Sequence, residues 1–130
     1  MIIKVYKQLK QYKDLKMSKV TIWHNPRCSK SREALKLLEE QGKEVDVYKY
    51  LDEALSVDEI KSVLLKLGIV ARDLMRTKET IYKELGLKDI EDEEALIEAM
   101  SKYNKLIERP IIITDTKAII GRPPELVLEL

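Results

Sequence analysis

The chain has one cysteine, Cys28, set within His24-Asn25-Pro26-Arg27-Cys28-Ser29-Lys30-Ser31-Arg32. A thiol attacks as its thiolate, so the question is what would hold negative charge on that sulfur. An apolar, β-branched run, Val20-Thr21-Ile22-Trp23, precedes the motif, and a helical pattern, Ala34-Leu35 and Leu37-Leu38, follows it. Cys28 therefore falls at a strand-to-helix turn, beside the first unpaired N–H groups of a helix. That end of a helix carries the positive end of the dipole and favours an anion. A thiolate there has a depressed pKa, and an oxyanion brought to the same corner finds hydrogen-bond donors. Arg27, Lys30, Arg32 and His24 add cationic groups within a few residues. A free cysteine is otherwise often a small buried hydrophobe. The polar, basic Pro-Arg-Cys-Ser turn favours the reactive reading.

The motif must be positioned by a modest chain. At 130 residues one domain is expected, and 45% hydrophobic content supports a core without staples. With six Tyr, one Trp and no Phe, that core must be built mostly from Leu, Ile and Val. A net charge of +1 lacks the basic excess expected of a nucleic-acid-binding domain. One cysteine excludes an intrachain disulfide and a multi-cysteine zinc site, and fits a reducing cytoplasm. No apolar run reaches membrane-spanning length, and the N-terminus lacks a signal-peptide apolar region. Residues 1–16 differ from the rest, with Lys4, Lys7, Lys10, Lys13 and Lys16 against Asp14 alone. They are read as a basic extension outside a domain spanning 17–130.

After the extension, the pattern predicts a strand over Val20–Trp23 and a helix from Ser29 to about Gln41, stopped by Gly42. A second strand is expected at Glu44–Tyr48, where Val45 and Val47 alternate with charges. Ser56-Val57-Asp58-Glu59 reads as a capping box opening a helix to Leu67, stopped by Gly68. Short helical turns are expected near Arg72–Met75 and Glu79–Leu85, then a helix from the acidic Asp92-Glu93-Glu94 to about Lys102. Ile111–Thr114 and Ala118–Ile120 flank a short turn and read as a hairpin. Pro123-Pro124 opens a last helix over Glu125–Glu129. The order β-α-β, helices, β-β-α predicts a thioredoxin-like α/β fold: a mixed four-stranded sheet with flanking helices and a helical insertion between the second and third strands.

On that frame, Cys28-Ser29-Lys30-Ser31 is a C-x-x-S motif. Ser31 occupies the place of a second cysteine; its hydroxyl can cap the helix or bond the thiolate but cannot close a disulfide. Pro110 stands where such folds place a cis proline opposite the thiol. Arg109 precedes it, Arg122 follows Gly121 at the hairpin's end, and Arg76 lies in the insertion. Single arginines are mostly solvated surface groups. Three at the ends of converging segments suit a tetrahedral oxyanion, because the guanidinium is planar and always charged. His24, the only histidine, could stabilise a thiolate as imidazolium.

The sequence resembles the glutaredoxin-coupled arsenate reductases, which are related to the RNA-polymerase-binding Spx regulators. The resemblance rests on Ile22–Arg32, Ala71-Arg72-Asp73-Leu74-Met75-Arg76, Tyr82-Lys83-Glu84-Leu85-Gly86-Leu87, Glu108-Arg109-Pro110-Ile111 and Gly121-Arg122-Pro123-Pro124-Glu125. It implies that Cys28 is the nucleophile, with His24 keeping it ionised and Ser31 supporting it. Arg76, Arg109 and Arg122 would bind the substrate oxygens. It further implies arsenate as substrate, glutathione as co-substrate with no bound cofactor, and a glutaredoxin as partner. Two alternatives remain beside it: an Spx-like regulator, whose usual C-x-x-C pair is broken here by Ser31, and a glutathione-dependent thiol oxidoreductase with another substrate.

Overall fold

The structure is a computed structural model that describes residues 19–129. The basic extension over 1–16 lies outside the described residues. Strand β1 (Lys19–Trp23) leads into helix α1 (Ser29–Glu40), then strand β2 (Glu44–Tyr48). Helices α2 (Val57–Leu67), α3 (Ala71–Leu74), α4 (Thr80–Glu84) and α5 (Glu93–Lys102) form the insertion, with 3₁₀ turns at Leu87–Asp89 and Asn104–Leu106. Strands β3 (Ile111–Ile113) and β4 (Ala118–Ile120) close the sheet. The strand order is β2-β1-β3-β4. β1 pairs parallel with β2 and antiparallel with β3, and β3 pairs antiparallel with β4. The mixed thioredoxin-like sheet expected from the element order is the one found.

Alternation along the strands divides the core between the two faces of the sheet. Val20 and Ile22 of β1 and Ile112 of β3 pack with Ala34 and Leu38 of α1 and with Val127. Trp23 and Ile111 face the other way, into a larger cluster with Leu55, Ile60, Leu74, Met100, Leu106 and Ile107 of the insertion. Ile22, Ile111 and Ile112 are fully buried, each stabilising the fold by about 1.5–3 kcal/mol relative to exposure. Aliphatic side chains alone fill the layer against α1, while Trp23, Tyr50, Tyr82, Met75 and Met100 join them in the larger cluster.

Local signals set the helix ends. Ser56 Oγ accepts from the Glu59 N–H at 3.1 Å, and Glu59 returns a bond to the Ser56 N–H at 3.2 Å. Gly68 ends α2 in the left-handed conformation at φ 68°, where a Cβ would be strained. α5 opens on Asp92, whose side chain accepts from the Glu94 N–H. Gly121 is required by close approach, since a Cβ there would lie 3.0 Å from both Ile112 Cδ1 and Pro110 Cγ. Its N–H donates to the Pro110 carbonyl at 2.8 Å, which places Arg122 beside Arg109.

The last element differs from expectation. Pro124–Glu129 is a 3₁₀ segment rather than an α-helix, and the Arg122–Pro123 bond is cis, as is Arg109–Pro110. Val127 of this segment packs against Ala34 and Leu38 of α1.

Candidate active site

The turn between β1 and α1 is held by its own polar groups. The His24 N–H donates to the Tyr48 carbonyl of β2 at 2.8 Å, continuing the parallel ladder by one residue. Asn25 Oδ1 accepts from the Arg27 N–H at 3.0 Å, and its carbonyl accepts from the Cys28 N–H at 3.0 Å. Cys28 then sits at the N-cap of α1 with extended dihedrals and only 9% exposure. Its carbonyl takes the first helical bond, from the Arg32 N–H at 3.0 Å.

Burial pushes the Cys28 thiol up. The Ser31 N–H, the Arg109 guanidinium and the Lys30 N–H act against it, and the net shift is downward. The helix-start argument is thus carried by two backbone N–H groups and one long-range cation. Arg122 Nη2 also lies 3.6 Å from Cys28 Sγ. Alkylation of the native protein by iodoacetamide should therefore rise with pH and level off at a midpoint below that of a free cysteine, about 8.5. A midpoint at or above that value would remove the activated thiolate.

His24 and Ser31 are paired with each other rather than with the sulfur. His24 Nδ1 lies 2.7 Å from Ser31 Oγ, and that oxygen accepts from the Asn25 N–H at 3.1 Å. Both side chains are buried. Burial, then Lys49 and Arg32, push the His24 pKa below its ordinary value. A neutral imidazole whose Nδ1 accepts from the Ser31 hydroxyl satisfies this arrangement. The imidazolium role is therefore not what the geometry supports: His24 and Ser31 brace the turn, and Ser31 meets Cys28 through its backbone.

The three arginines converge through long-range pairing. Met75, just after α3, forms an antiparallel bridge with Ile107. The Arg76 N–H donates to the Leu106 carbonyl at 2.6 Å, and the Glu108 N–H to the Leu74 carbonyl at 2.8 Å. That bridge brings Arg76 of the insertion to the foot of β3. Arg76 Nη1 donates to Glu108 Oε1 at 2.9 Å and Arg76 Nε to Glu79 Oε1 at 3.2 Å. Arg122 Nε donates to the Arg109 carbonyl at 2.6 Å and lies 3.3 Å from Glu108 Oε1. A cavity of about 310 Å³ opens here, bounded by Met75, Arg76, Thr77, Lys78, Glu108 and Arg122. Arg122 links it to the sulfur. Cavities of about 580 and 650 Å³ elsewhere on the helical insertion contain none of the three arginines.

Two site residues carried no assigned role in the sequence. Glu108 was visible only as the neighbour of Arg109. Tyr50, two residues beyond β2, is fully buried, and among the described residues neither its hydroxyl nor the buried Arg109 Nε has a hydrogen-bond partner. Burial pushes the Tyr50 pKa up to about 12, although Arg109 and Arg76 oppose it, so the phenol stays a donor. Its signal in the sequence was weak, since a tyrosine after a strand reads as core.

A thioredoxin-like sheet with its single cysteine at a helix start, beside Arg109 and Arg122, defines the class: an α/β thiol protein. The chain belongs to the ArsC family, whose profile matches residues 23–130. It is 54% identical over 113 residues to the uncharacterized protein YfgD of Escherichia coli (strain K12), covering 85% of this chain and 95% of that one. It is 50% identical over 113 residues to a protein of Haemophilus influenzae named arsenate reductase, covering 85% and 97%. The structure named arsenate reductase from Vibrio cholerae superposes with a TM-score of 0.83 at 51% identity, covering 85% and 96%.

Proposed function

We propose that this protein reduces arsenate to arsenite through the Cys28 thiolate, with glutathione as the second thiol and a glutaredoxin to clear the product disulfide. The observation that carries the reading is the placement of Arg122 Nη2 at 3.6 Å from the sulfur, in the same corner as Arg109 and the Arg76–Glu108 pair. The relatives named arsenate reductase support the choice of oxyanion.

The thiolate attacks arsenic, a sulfur–arsenic bond forms, and an arsenate oxygen leaves as water after taking protons from solvent. Arg109, Arg122 and the α1 N–H groups offset the charge on the remaining oxygens. A glutathione thiolate then attacks the Cys28 sulfur. The sulfur–arsenic bond breaks with its electron pair left on arsenic, which becomes arsenite, and a Cys28–glutathione disulfide remains. A glutaredoxin returns Cys28 to its thiolate by thiol–disulfide exchange. Two electrons reach arsenic and two sulfurs are oxidised. Cys28 is the chain's only cysteine, so the second sulfur comes from outside.

Arsenite formation should be sustained by glutathione, glutaredoxin, glutathione reductase and NADPH. Thioredoxin with its reductase alone should give no multiple turnover. Full turnover with thioredoxin alone would overturn the donor assignment, and absence of arsenite with either system would overturn the substrate.

A further inference from the structure

The three arginines are organised around one carboxylate oxygen. Glu108 Oε1 accepts from Arg76 Nη1 at 2.9 Å, lies 3.3 Å from Arg122 Nε, and accepts from the Arg109 backbone N–H at 3.3 Å. Glu108 is only partly exposed and borders the cavity that Arg76 and Arg122 share. Its other oxygen, Oε2, takes no protein donor among the described residues. An ionised carboxylate is acceptor-only, so Oε2 can meet an incoming oxyanion favourably only through a proton on that anion.

The geometry points to Glu108 as a specificity-determining residue that admits tetrahedral oxyanions carrying a hydroxyl and rejects those without one. This rests on the oxyanion-site reading of the Cys28 corner. Arsenate and phosphate keep at least one proton near neutral pH, and that hydroxyl donates to Glu108 Oε2. Sulfate carries none, so one of its oxygens would face the carboxylate oxygen with lone pair against lone pair. A site built to accept from a hydroxyl discriminates strongly against an analogue that lacks it.

The test is protection of Cys28 from iodoacetamide by sodium arsenate, phosphate or sulfate, with no reductant present. In the native protein, arsenate and phosphate should protect at concentrations at least about tenfold below sulfate. Glu108→Gln keeps an oxygen for Arg76 and adds a donor, so sulfate should protect it within about threefold of phosphate. Glu108→Asp keeps the carboxylate and should keep the rejection of sulfate. Equal protection of the native protein by all three anions would overturn the proposal. So would a Glu108→Gln protein that still rejects sulfate, or one that loses all three anions alike and so shows Glu108 only holding the arginines. Absence of protection by any anion would remove the oxyanion site and the proposal together. Selective protection without arsenite formation in the coupled assay would separate the two: the anion filter stands and the reductase reading fails.

Discussion

Replacing Cys28 by serine should reduce arsenite formation by at least about 10³-fold while the protein stays folded. The serine hydroxyl is nearly isosteric with the thiol but does not ionise under conditions where the native sulfur is a thiolate. The corner that lowers the thiol pKa, made by the Ser31 and Lys30 N–H groups and Arg109, cannot lower a hydroxyl far enough. Cys28 stands at the N-cap of α1, where serine is among the most favourable residues, so stability should hold or rise slightly. Arsenite assay and thermal melting of the same preparation decide this. A serine variant that turns over at the native rate would place the chemistry elsewhere in the chain.

Arg109→Ala should be the most damaging of the arginine exchanges, lowering kcat/KM by about 10²–10³. The three guanidinium groups are not equivalent. Arg76 is committed to Glu79 and Glu108, and Arg122 divides its donors among Glu108, the Arg109 carbonyl and the Cys28 sulfur. Arg109 keeps its Nε buried and without a partner among the described residues while its charge acts on Cys28. Its outer guanidinium nitrogens donate to no protein oxygen among the described residues, which leaves them for oxygens that gain charge in the transition state. Arg109→Lys should recover little, because an ammonium supplies a point charge in place of a fork. Steady-state kinetics of the three Ala variants and Arg109→Lys checks the ranking. An Arg109→Ala protein with unchanged kcat/KM would show that its charge takes no part in the reaction.

Much of this site was legible because its central parts are local. Strand periodicity, a polar turn and an apolar helical stripe place Cys28 at a helix start without any tertiary information. Two insertion helices announced themselves by their caps, α2 by Ser56 with Glu59 and α5 by Asp92. The arginines were found as segment ends, but their grouping was not. It depends on the bridge between Met75 and Ile107, which no local pattern encodes. For the same reason Glu108 read as one more acid beside an arginine, although three donors converge on its Oε1. His24 stands four residues before Cys28, yet its ring pairs with Ser31 rather than with the sulfur. The six intervening residues, four of the turn and two of α1, bring its ring against Ser31 Oγ. Tyr50 was hidden by its chemistry, since a phenol serves equally in a core and in a site.

The central claim is that Cys28 bonds arsenic first and an external thiol second. Mass spectrometry of the native protein tests it most directly, after incubation with glutathione alone and with glutathione plus arsenate, without glutaredoxin. The account predicts that a glutathione adduct on Cys28 accumulates only when arsenate is present, together with one arsenite per adduct. An adduct that forms equally without arsenate, or arsenite released with Cys28 unmodified, would contradict it.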